Sequence, residues 1–377
     1  MGRTNPEDAD HRARAGRDAV VFVSLATGIG GPAQSLLAIL EYAGRDVDRI
    51  LFAPPGQFSD TAQRRGLVEE YVEMPWWVRL RQFSRVKATF VLARFVRRHR
   101  GRVVALHANG EAELNVCALP VKRTGVPVVM IARSSQTNPS TPVLAGFWRK
   151  PETPVRWLAV SETAQTKIAD ALGLEPRIIA VVGNPIDPKQ CVATRVDDDT
   201  VRVGFLGQPW RVKGWHLVPA AITAAGPGIG WEIFASRPDP AVLPDEAAVW
   251  DRVADLRADY DIALRGRVAD VRRAYARCDI VLCPSEAEAL PRVALEAMAN
   301  GLPVVATDLQ AYRDLIGDDE AGLLVPVGDG EAAGRAVRRL AEDPDLQETL
   351  GSRGRVVAER FAPERILDPI IAAYRGG

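Results

Sequence analysis

Residues 279–306 read DIVLCPSEAEALPRVALEAMANGLPVVA. Two apolar runs in this segment, Ile280–Cys283 and Val304–Ala306, flank a helical pattern, as expected for two parallel strands joined by a crossover helix. Two carboxylates lie eight residues apart: Glu288 precedes the predicted helix and Glu296 lies along it. Open α/β sheets bind ligands where a strand ends and a helix starts, because the first backbone amides of a helix attract anions. We therefore expect a ligand with an anionic group and hydroxyls here.

Length and composition are those of a soluble two-domain protein. The chain has 377 residues, of which 47% are hydrophobic and 25% charged. No apolar run reaches the roughly 18 residues that a membrane-spanning helix needs. Residues 1–18 are polar and lack the apolar segment of a signal peptide, so they predict a flexible tail. The four cysteines show no metal-binding spacing, which favours reduced thiols and a cytoplasmic location.

Strand-like runs alternate with helical patterns, which predicts βαβ units and parallel sheets. Residues 184–188 (NPIDP) interrupt the alternation. We therefore predict an N-terminal domain at 19–185, a second domain at 186–356 and a helical segment at 357–377. Both halves open with an apolar strand, a glycine loop and a helix, so we expect two facing, doubly wound Rossmann-like domains with a cleft between them. The predicted strands are Ala19–Leu25, Arg49–Ala53, Val103–His107, Val126–Ala132, Trp157–Val160, Ile178–Val182, Val201–Leu206, Trp231–Ala235, Ile262–Leu264, Ile280–Cys283, Val304–Ala306 and Gly322–Val325.

Residues 28–33 (GIGGPA) follow a strand and precede a helix, matching the G-x-G-x-x-A pattern of dinucleotide-binding loops. That interpretation also needs an acidic residue at the end of the next strand, to hold a ribose. The next strand, 49–53, ends in Pro-Pro-Gly, whereas Asp46 and Asp48 precede it. A nicotinamide dehydrogenase is therefore disfavoured, and a Walker loop is excluded because no Lys-Ser/Thr follows the glycines. A simple glycine turn before a helix stays open as the alternative.

The spacing Glu288-x7-Glu296, together with GLPVVATD at 301–308, resembles the signature of a known enzyme family. The chain resembles the retaining glycosyltransferases of the GT-B fold, specifically glycosyltransferase family 4, over about residues 19–375 and most strongly over 279–326. The resemblance implies transfer of a sugar from a nucleoside diphosphate donor to a hydroxyl acceptor, with the anomeric configuration retained. In that family the leaving phosphate is usually drawn as the base, so no protein nucleophile is required.

The resemblance also implies roles for the residues of this segment. Glu288 would hold hydroxyls of the donor sugar, and Glu296 would hold the ribose of the nucleotide. The backbone amides of Leu290, Arg292 and Val293 would contact the sugar and the phosphate. For each glutamate the alternative is a solvent-exposed carboxylate with no ligand.

Residues 204–214 (GFLGQPWRVKG) resemble the family's G-R-L-x-x-x-K-G stretch, in which an arginine and a lysine neutralise the donor diphosphate. Lys213 stands at the lysine position, where a fixed cation would stabilise the leaving diphosphate. Gln208 stands where the arginine is expected, and it carries no charge. Arg211 on the same loop is a candidate substitute, the alternative being a solvated loop cation. Val268 ends a Gly-Arg-Val stretch that stands where the family's backbone recognises the nucleobase.

The first half of the chain contributes further candidates. Gly30 and Gly31 match the family's glycine pair, which lies against the donor phosphate and the acceptor entrance. His107 and Arg133 each end a predicted strand, and both are candidate catalytic residues. Relatives often carry a histidine near the position of Arg133, whereas an arginine would supply a permanent positive charge. The alternative for His107 is a strand-end histidine bonded to backbone.

We expect the reaction to need neither a metal ion nor a cofactor. No Asp-x-Asp motif occupies a loop suited to a metal–diphosphate site, and Lys213 with the helix-start amides can balance the leaving group's charge. Two other functions stay open. One is a GT-B-fold sugar-nucleotide epimerase, and the other is a catalytically silent accessory protein that binds sugar nucleotides. Gln208 and the missing glycines at 235–237 and 310–311 make the silent protein conceivable.

The resemblance implies a hydroxyl acceptor, which we expect on a small molecule or on a lipid-linked glycan. Residues 74–110 contain no acidic residue but nine Lys or Arg, and Trp76 and Trp77 precede the basic stretch. A basic amphipathic helix within 74–102 could rest on the anionic inner face of a membrane. An ordinary packed helix with a solvated basic face is the alternative. No nucleic-acid-binding module accompanies the charge, so no nucleic acid partner is expected.

Overall fold

The computed structural model describes residues 17–75, 81–133, 141–187, 194, 199–268, 270–317 and 321–375. The chain divides into two compact units. Unit 1 comprises Met1–Pro185 and Pro363–Gly377, and unit 2 comprises Ile186–Ala362. Most of the expected tail, together with Trp76, Trp77 and Arg79, lies outside the described residues.

Unit 1 is built on a parallel sheet with helices in its crossovers. Its strands are β1 (Ala19–Val23), β2 (Asp48–Ala53), β3 (Glu70–Glu73), β4 (Val103–Ala108), β5 (Val128–Ala132), β6 (Val155–Ala159) and β7 (Ile179–Val181). Its first six helices are α1 (Gly31–Ala43), α2 (Gln57–Arg64), α3 (Arg81–Arg98), α4 (Glu111–Thr124), α5 (Thr141–Trp148) and α6 (Glu162–Leu172). The strand order is β3-β2-β1-β4-β5-β6-β7, so the direction of winding reverses between β1 and β4. Ligands bind at this kind of switch point in open α/β sheets.

The central strands of unit 1 are apolar along their whole length because both faces of the sheet are covered. All five residues of β1 and all six of β2 are buried. Strands of a parallel sheet covered by helices on both sides characteristically read as continuous apolar runs.

The last helix of the chain, α14 (Pro363–Arg375), belongs to unit 1. Its apolar face is buried, and Tyr374 is fully enclosed between the rings of Phe22 and His107. The Tyr374 hydroxyl lies 2.8 Å from Nδ1 of His107. At the helix end, Arg375 forms a 2.8 Å ion pair with Asp46.

Unit 2 is a second parallel sheet, wound in the same way. Its strands are β8 (Arg202–Leu206), β9 (Gly230–Phe234), β10 (Ile262–Leu264), β11 (Ile280–Cys283), β12 (Val304–Thr307) and β13 (Gly322–Val325). Its helices are α7 (Val218–Ala225), α8 (Pro244–Asp255), α9 (Arg272–Tyr275), α10 (Arg292–Ala299), α11 (Gln310–Ile316), α12 (Gly330–Ala341) and α13 (Pro344–Ala358). The strand order is β10-β9-β8-β11-β12-β13, so the switch point lies between β8 and β11.

Two apolar clusters, one on each face, hold the unit 2 sheet. Trp215 and Trp231 are fully buried in one of them, and Tyr275, Met298 and Tyr312 are buried in the other. The predicted two-domain parallel α/β architecture is therefore confirmed for each unit.

Candidate active site

The loops that follow β8 and β11 meet at the switch point of unit 2. Nζ of Lys213, from the first loop, lies 2.6 Å from Oε1 of Glu288, from the second. The Lys213 side chain is 38% exposed and that of Glu288 is 13% exposed. Because β8 and β11 are neighbouring parallel strands, their carboxyl ends deliver both loops to the same edge of the sheet. The arrangement places one cation and one carboxylate, both reachable from solvent, at the expected ligand position.

Gly214 allows the two loops to touch. Its φ is +71°, and a Cβ atom built on it would lie 1.9 Å from the carbonyl oxygen of Pro284. Beside this contact, the amide of Glu286 donates a 2.9 Å hydrogen bond to the carbonyl of Val212. Only glycine combines this left-handed backbone with so close an approach, so the position of Lys213 depends on its neighbour.

A chain of hydrogen bonds from buried polar side chains fixes the position of Glu288. Ser285 Oγ donates to Oε1 of Glu288 over 3.1 Å, and the hydroxyl of Tyr312 lies 3.5 Å from Ser285 Oγ. Thr307 Oγ1 donates to the carbonyl of Ser285 over 2.5 Å. Burial raises the pKa of Tyr312 well above 10, so its phenol keeps its proton. We did not expect Ser285, Thr307 and Tyr312 at the site from the sequence, because only packing brings β12 and α11 to this loop.

Glu296 lies on α10 and is only 5% exposed. Arg292 Nε donates to its Oε1 over 2.6 Å, and the Tyr275 hydroxyl donates to its Oε2 over 2.9 Å. No side chain caps the first turn of α10, which also contains no acidic residue. Those backbone amides therefore suit an anion, as the sequence predicts.

The other cationic candidate in this loop is less constrained. Arg211 is 70% exposed, and its guanidinium lies 3.6 Å from Glu286. His216 lies 3.3 Å from the same carboxylate, and burial followed by the charge of Arg211 lowers the pKa of this imidazole. Gln208 is exposed at the start of the loop. Ion pairs as exposed as that of Arg211 contribute little to a fixed geometry.

The apolar candidates face the interior of unit 2. The side chains of Val268, Leu290 and Val293 are half-buried and pack on the cluster that contains Tyr275. Their side chains are committed to packing, so the backbone of these residues is the part that suits a ligand. The use of the Leu290, Arg292 and Val293 amides stays a prediction.

In unit 1, the glycine loop leaves room above the start of α1. A Cβ built at Gly30 or Gly31 would meet no atom within 4 Å. Gly30 precedes the helix without a side-chain cap, and a proline lies in the first turn. The open helix start suits the approach of an anionic group, and it lies at the unit 1 switch point.

Arg133 lies half-buried at the end of β5 in a polar network of the same sheet edge. Its Nε donates to Oδ1 of Asn109 over 2.8 Å, and its Nη1 donates to Oδ1 of Asn184 over 2.5 Å. Asn109 in turn donates to the carbonyl of Pro32 over 3.2 Å, and Ser35 donates to Asn184 over 3.3 Å. The network ties the cation to the start of α1, which fixes its position beside the glycine loop.

His107 is fully buried, and this disfavours direct contact with a substrate. Burial, with a smaller contribution from the charge of Arg133, lowers its pKa to about 3. The ring packs against Phe22 and Tyr374. This imidazole is therefore neutral at physiological pH, and its ring nitrogen contacts the Tyr374 hydroxyl rather than the backbone partner that the alternative expected.

The pH dependence of stability tests the state of His107. Its folded pKa lies below the unfolded value of about 6.5, so its contribution is complete above pH 6.5 and is lost as pH falls towards 3. The loss between pH 6.5 and 5 should be about 2 kcal/mol. Urea unfolding at each pH should therefore show that the stability of the unmodified protein, measured relative to His107→Gln, falls by about 2 kcal/mol over this range.

Glu111 makes the comparison with the variant essential. Burial raises the pKa of its carboxyl to about 7, so Glu111 loses stabilisation as pH rises from about 4.5 through 7. The two groups act in opposite senses in one range, and only the difference between the proteins isolates His107. Parallel pH profiles for the two proteins would refute a buried, neutral His107.

Among the residues that the structure describes, no group of three His, Cys, Asp or Glu side chains is placed to hold a metal ion. None of their helices is long and apolar enough to cross a membrane. Burial raises the pKa of the Cys278 and Cys283 thiols to about 12, which makes them unreactive.

Comparisons with known proteins match both units. Residues 29–190 match the family model described as Glycosyltransferase Family 4, and residues 200–343 match the one described as Glycosyl transferases group 1. The chain is 26% identical over 283 residues to a D-inositol 3-phosphate glycosyltransferase of Saccharomonospora viridis, covering 67% of this chain and 65% of the relative. It is 30% identical over 224 residues to an alpha-maltose-1-phosphate synthase of Mycolicibacterium smegmatis, covering 54% and 58%. The chain thus spans less than two thirds of the length of these curated relatives.

Solved structures show the same fold. HepE from Anabaena, in complex with UDP and glucose, superimposes with a TM-score of 0.79 at 19% identity, covering 96% of this chain and 100% of that one. A glycosyltransferase from Rickettsia africae gives a TM-score of 0.79 at 16% identity, covering 95% and 98%. With one family model matched by each unit and this fold shared, the chain belongs to the group 1 glycosyltransferases of the GT-B fold.

Proposed function

We propose that the protein transfers a sugar from a nucleoside diphosphate donor to a hydroxyl acceptor. The observation that carries the proposal is the Lys213–Glu288 pair, 2.6 Å apart, with Glu288 on the loop that leads from β11 into the uncapped start of α10. In the proposal, the lysine and the helix amides bind the diphosphate, and the carboxylate binds a sugar hydroxyl. Glu296, eight residues on, is the acceptor of hydrogen bonds from the ribose.

The proposed chemistry requires the site to stabilise a leaving nucleoside diphosphate. As the glycosidic bond breaks, negative charge grows on the diphosphate, and a preorganised cation with helix-start amides lowers the energy of that state. Lys213 supplies the cation, and the α10 amides supply the dipoles. We propose retention of configuration, and a reaction that needs neither a metal ion nor a resident cofactor. Unchanged turnover in a chelator, and the anomeric proton coupling of the product, test these two points.

The donor can be identified with a panel of sugar nucleotides. HepE was solved with UDP and with UDP-glucose, so uridine diphosphate sugars are the first donors to test. Release of nucleoside diphosphate should be slow without acceptor and should disappear in Glu288→Gln. Unchanged release by this variant would refute the assigned site, and no release from any donor would favour the silent accessory protein.

An epimerase of the same fold is the second candidate. It would need acids and bases near the reacting sugar, and His107, the candidate base of unit 1, is buried and neutral. Appearance of an epimerised sugar nucleotide without diphosphate release would establish it.

For the acceptor we propose a lipid-linked or membrane-proximal hydroxyl, with the protein acting in the cytoplasm at the inner membrane face. Val86 and Phe90, one turn apart on α3, are 57% and 52% exposed. The guanidinium of Arg123 lies 5.8 Å from the centre of the Phe90 ring. The α3 face is defined here as the exposed side chains Val86, Lys87, Phe90, Arg94, Arg97 and Arg123. Apolar side chains flanked by cations suit an anionic lipid surface.

Membrane binding by the α3 face predicts co-sedimentation with vesicles of phosphatidylglycerol and phosphatidylcholine, and none with phosphatidylcholine alone. Added salt should release the protein, because charge attraction is screened. Val86→Ala combined with Phe90→Ala should weaken vesicle binding about tenfold or more, since the variant lacks two apolar side chains that the lipid would bury. Val242→Ala with Val356→Ala is the matched control, because both valines are exposed in unit 2. Equal sedimentation of the two double variants would remove the proposed membrane contact.

A further inference from the structure

Tyr275 touches Glu296 from a different part of the chain. Tyr275 ends α9 and is 2% exposed, whereas Glu296 lies on α10. The phenol oxygen lies 2.9 Å from Oε2 of Glu296 and 3.3 Å from the carbonyl of Val293. A phenol has one proton to donate, and the shorter contact to a charged acceptor takes it. The Tyr275 hydroxyl is therefore committed to the carboxylate.

The second oxygen of Glu296 is held independently. Arg292 Nε donates to Oε1 over 2.6 Å, with the arginine side chain 21% exposed. Two donors, one on each oxygen, fix the plane of the carboxylate. An ionised carboxylate has about four acceptor positions, so each oxygen can still accept one further hydrogen bond. Two neighbouring hydroxyls on a five-membered sugar ring match two such acceptors in one plane.

We propose that Tyr275 is a positioning residue for the nucleotide: it orients Glu296 so that both carboxylate oxygens face the 2′ and 3′ hydroxyls of the ribose. The inference rests on the proposed function, in which Glu296 receives the ribose. Tyr275 itself does not contact the ligand. Its effect on affinity is transmitted through the carboxylate, and it depends on the presence of the ribose hydroxyls.

A purely structural role for Tyr275 makes a different prediction. Its ring packs in an apolar cluster of unit 2, with Cys278, Leu295 and Met298 among the members. If packing were its whole role, Tyr275→Phe would keep that role and leave nucleotide binding unchanged. If Tyr275 positions Glu296, Tyr275→Phe must lower the affinity only for ligands that have ribose hydroxyls.

Titration calorimetry on the two-unit protein separates the packing role of Tyr275 from its positioning role. UDP, GDP and ADP are compared with their 2′,3′-dideoxy forms, and the nucleotide that binds is carried forward. The unmodified protein should prefer the ribose form. Tyr275→Phe should reduce that preference about tenfold while leaving the affinity for the dideoxy form unchanged, because hydrogen bonds to charged groups are among the stronger ones. Tyr71→Phe, which removes a 3.1 Å hydroxyl contact to the Ala53 carbonyl in unit 1, is the matched control.

A second variant excludes an indirect effect. Glu296→Gln should lower the preference for ribose by itself, and adding Tyr275→Phe to it should change the preference no further. If Tyr275→Phe retains the full preference, the positioning role is wrong and the proposed function stands. If the unmodified protein shows no preference for ribose, the assignment of Glu296 is wrong together with the inference. If it binds no nucleoside diphosphate, the proposed function itself fails with it.

Discussion

Replacing Lys213 with methionine should lower kcat by about 10²–10³, because a preorganised electrostatic contact to the leaving group is worth about that factor. Methionine keeps much of the length and volume of the side chain and removes the charge. Lys213→Arg should restore part of the rate, since it returns a cation to the same loop. The measurement is nucleoside diphosphate release with saturating donor, which isolates kcat from binding.

Two further variants test whether the effect is specific to Lys213. Lys167→Met removes an exposed lysine from α6 of unit 1 and should leave kcat unchanged. Arg211→Gln tests whether the second cation of the loop replaces the charge that Gln208 lacks. Because Arg211 is 70% exposed and paired with Glu286 at 3.6 Å, we expect less than about a tenfold loss. A Lys213→Met enzyme within about threefold of the unmodified rate would contradict the assigned role.

Gly214→Ala should lower the free energy of unfolding of unit 2 by about 2–4 kcal/mol and abolish donor binding. A left-handed backbone costs a non-glycine residue about 1–2 kcal/mol. The added Cβ would also lie 1.9 Å from the Pro284 carbonyl, which is backbone and cannot rotate aside. The two loops must separate, and that carries Lys213 away from Glu288.

Gly228→Ala is the matched control for this substitution. Its φ of +80° is similar to that of Gly214, but its Cβ would meet no atom within 4 Å. Gly228→Ala should lower the free energy of unfolding only by the cost of the left-handed backbone, about 1–2 kcal/mol, and it should leave donor binding intact. The difference between the two variants, measured by urea unfolding, isolates the loop contact. Equal losses of stability would show that the approach to Pro284 does not constrain the loops.

Most strands of the two sheets could be predicted from the sequence, because parallel strands that are buried on both faces read as apolar runs. The exception is β3, whose sequence EYVE has acidic ends and whose side chains are half-exposed or exposed at the sheet edge. An edge strand with one exposed face lacks the apolar run on which the prediction depended. The last helix shows a different limit, since periodicity gave its existence but not the unit on which it packs.

The candidate site shows the same division. Glu288, Glu296 and Lys213 were predictable because each has a fixed place relative to a strand end and a helix start. The partners that fix them were not, since Tyr275 and Tyr312 are each more than 20 residues from the carboxylate group they support. His107 is the penultimate residue of β4, one residue before the strand ends, yet a tyrosine 267 residues later encloses it. The position of a residue along a strand predicts the edge of the sheet at which it lies. Packing then decides which side chains stay exposed at that edge.

In the proposed function, unit 2 holds a sugar nucleotide through Glu288 on the sugar side and Lys213 on the diphosphate side. Titration calorimetry that compares a nucleoside diphosphate with its sugar ester tests it most directly. In the unmodified protein the sugar should add affinity, and in Glu288→Gln that increment should vanish while the affinity for the nucleoside diphosphate stays within about threefold. An equal sugar increment in both proteins would contradict the claim.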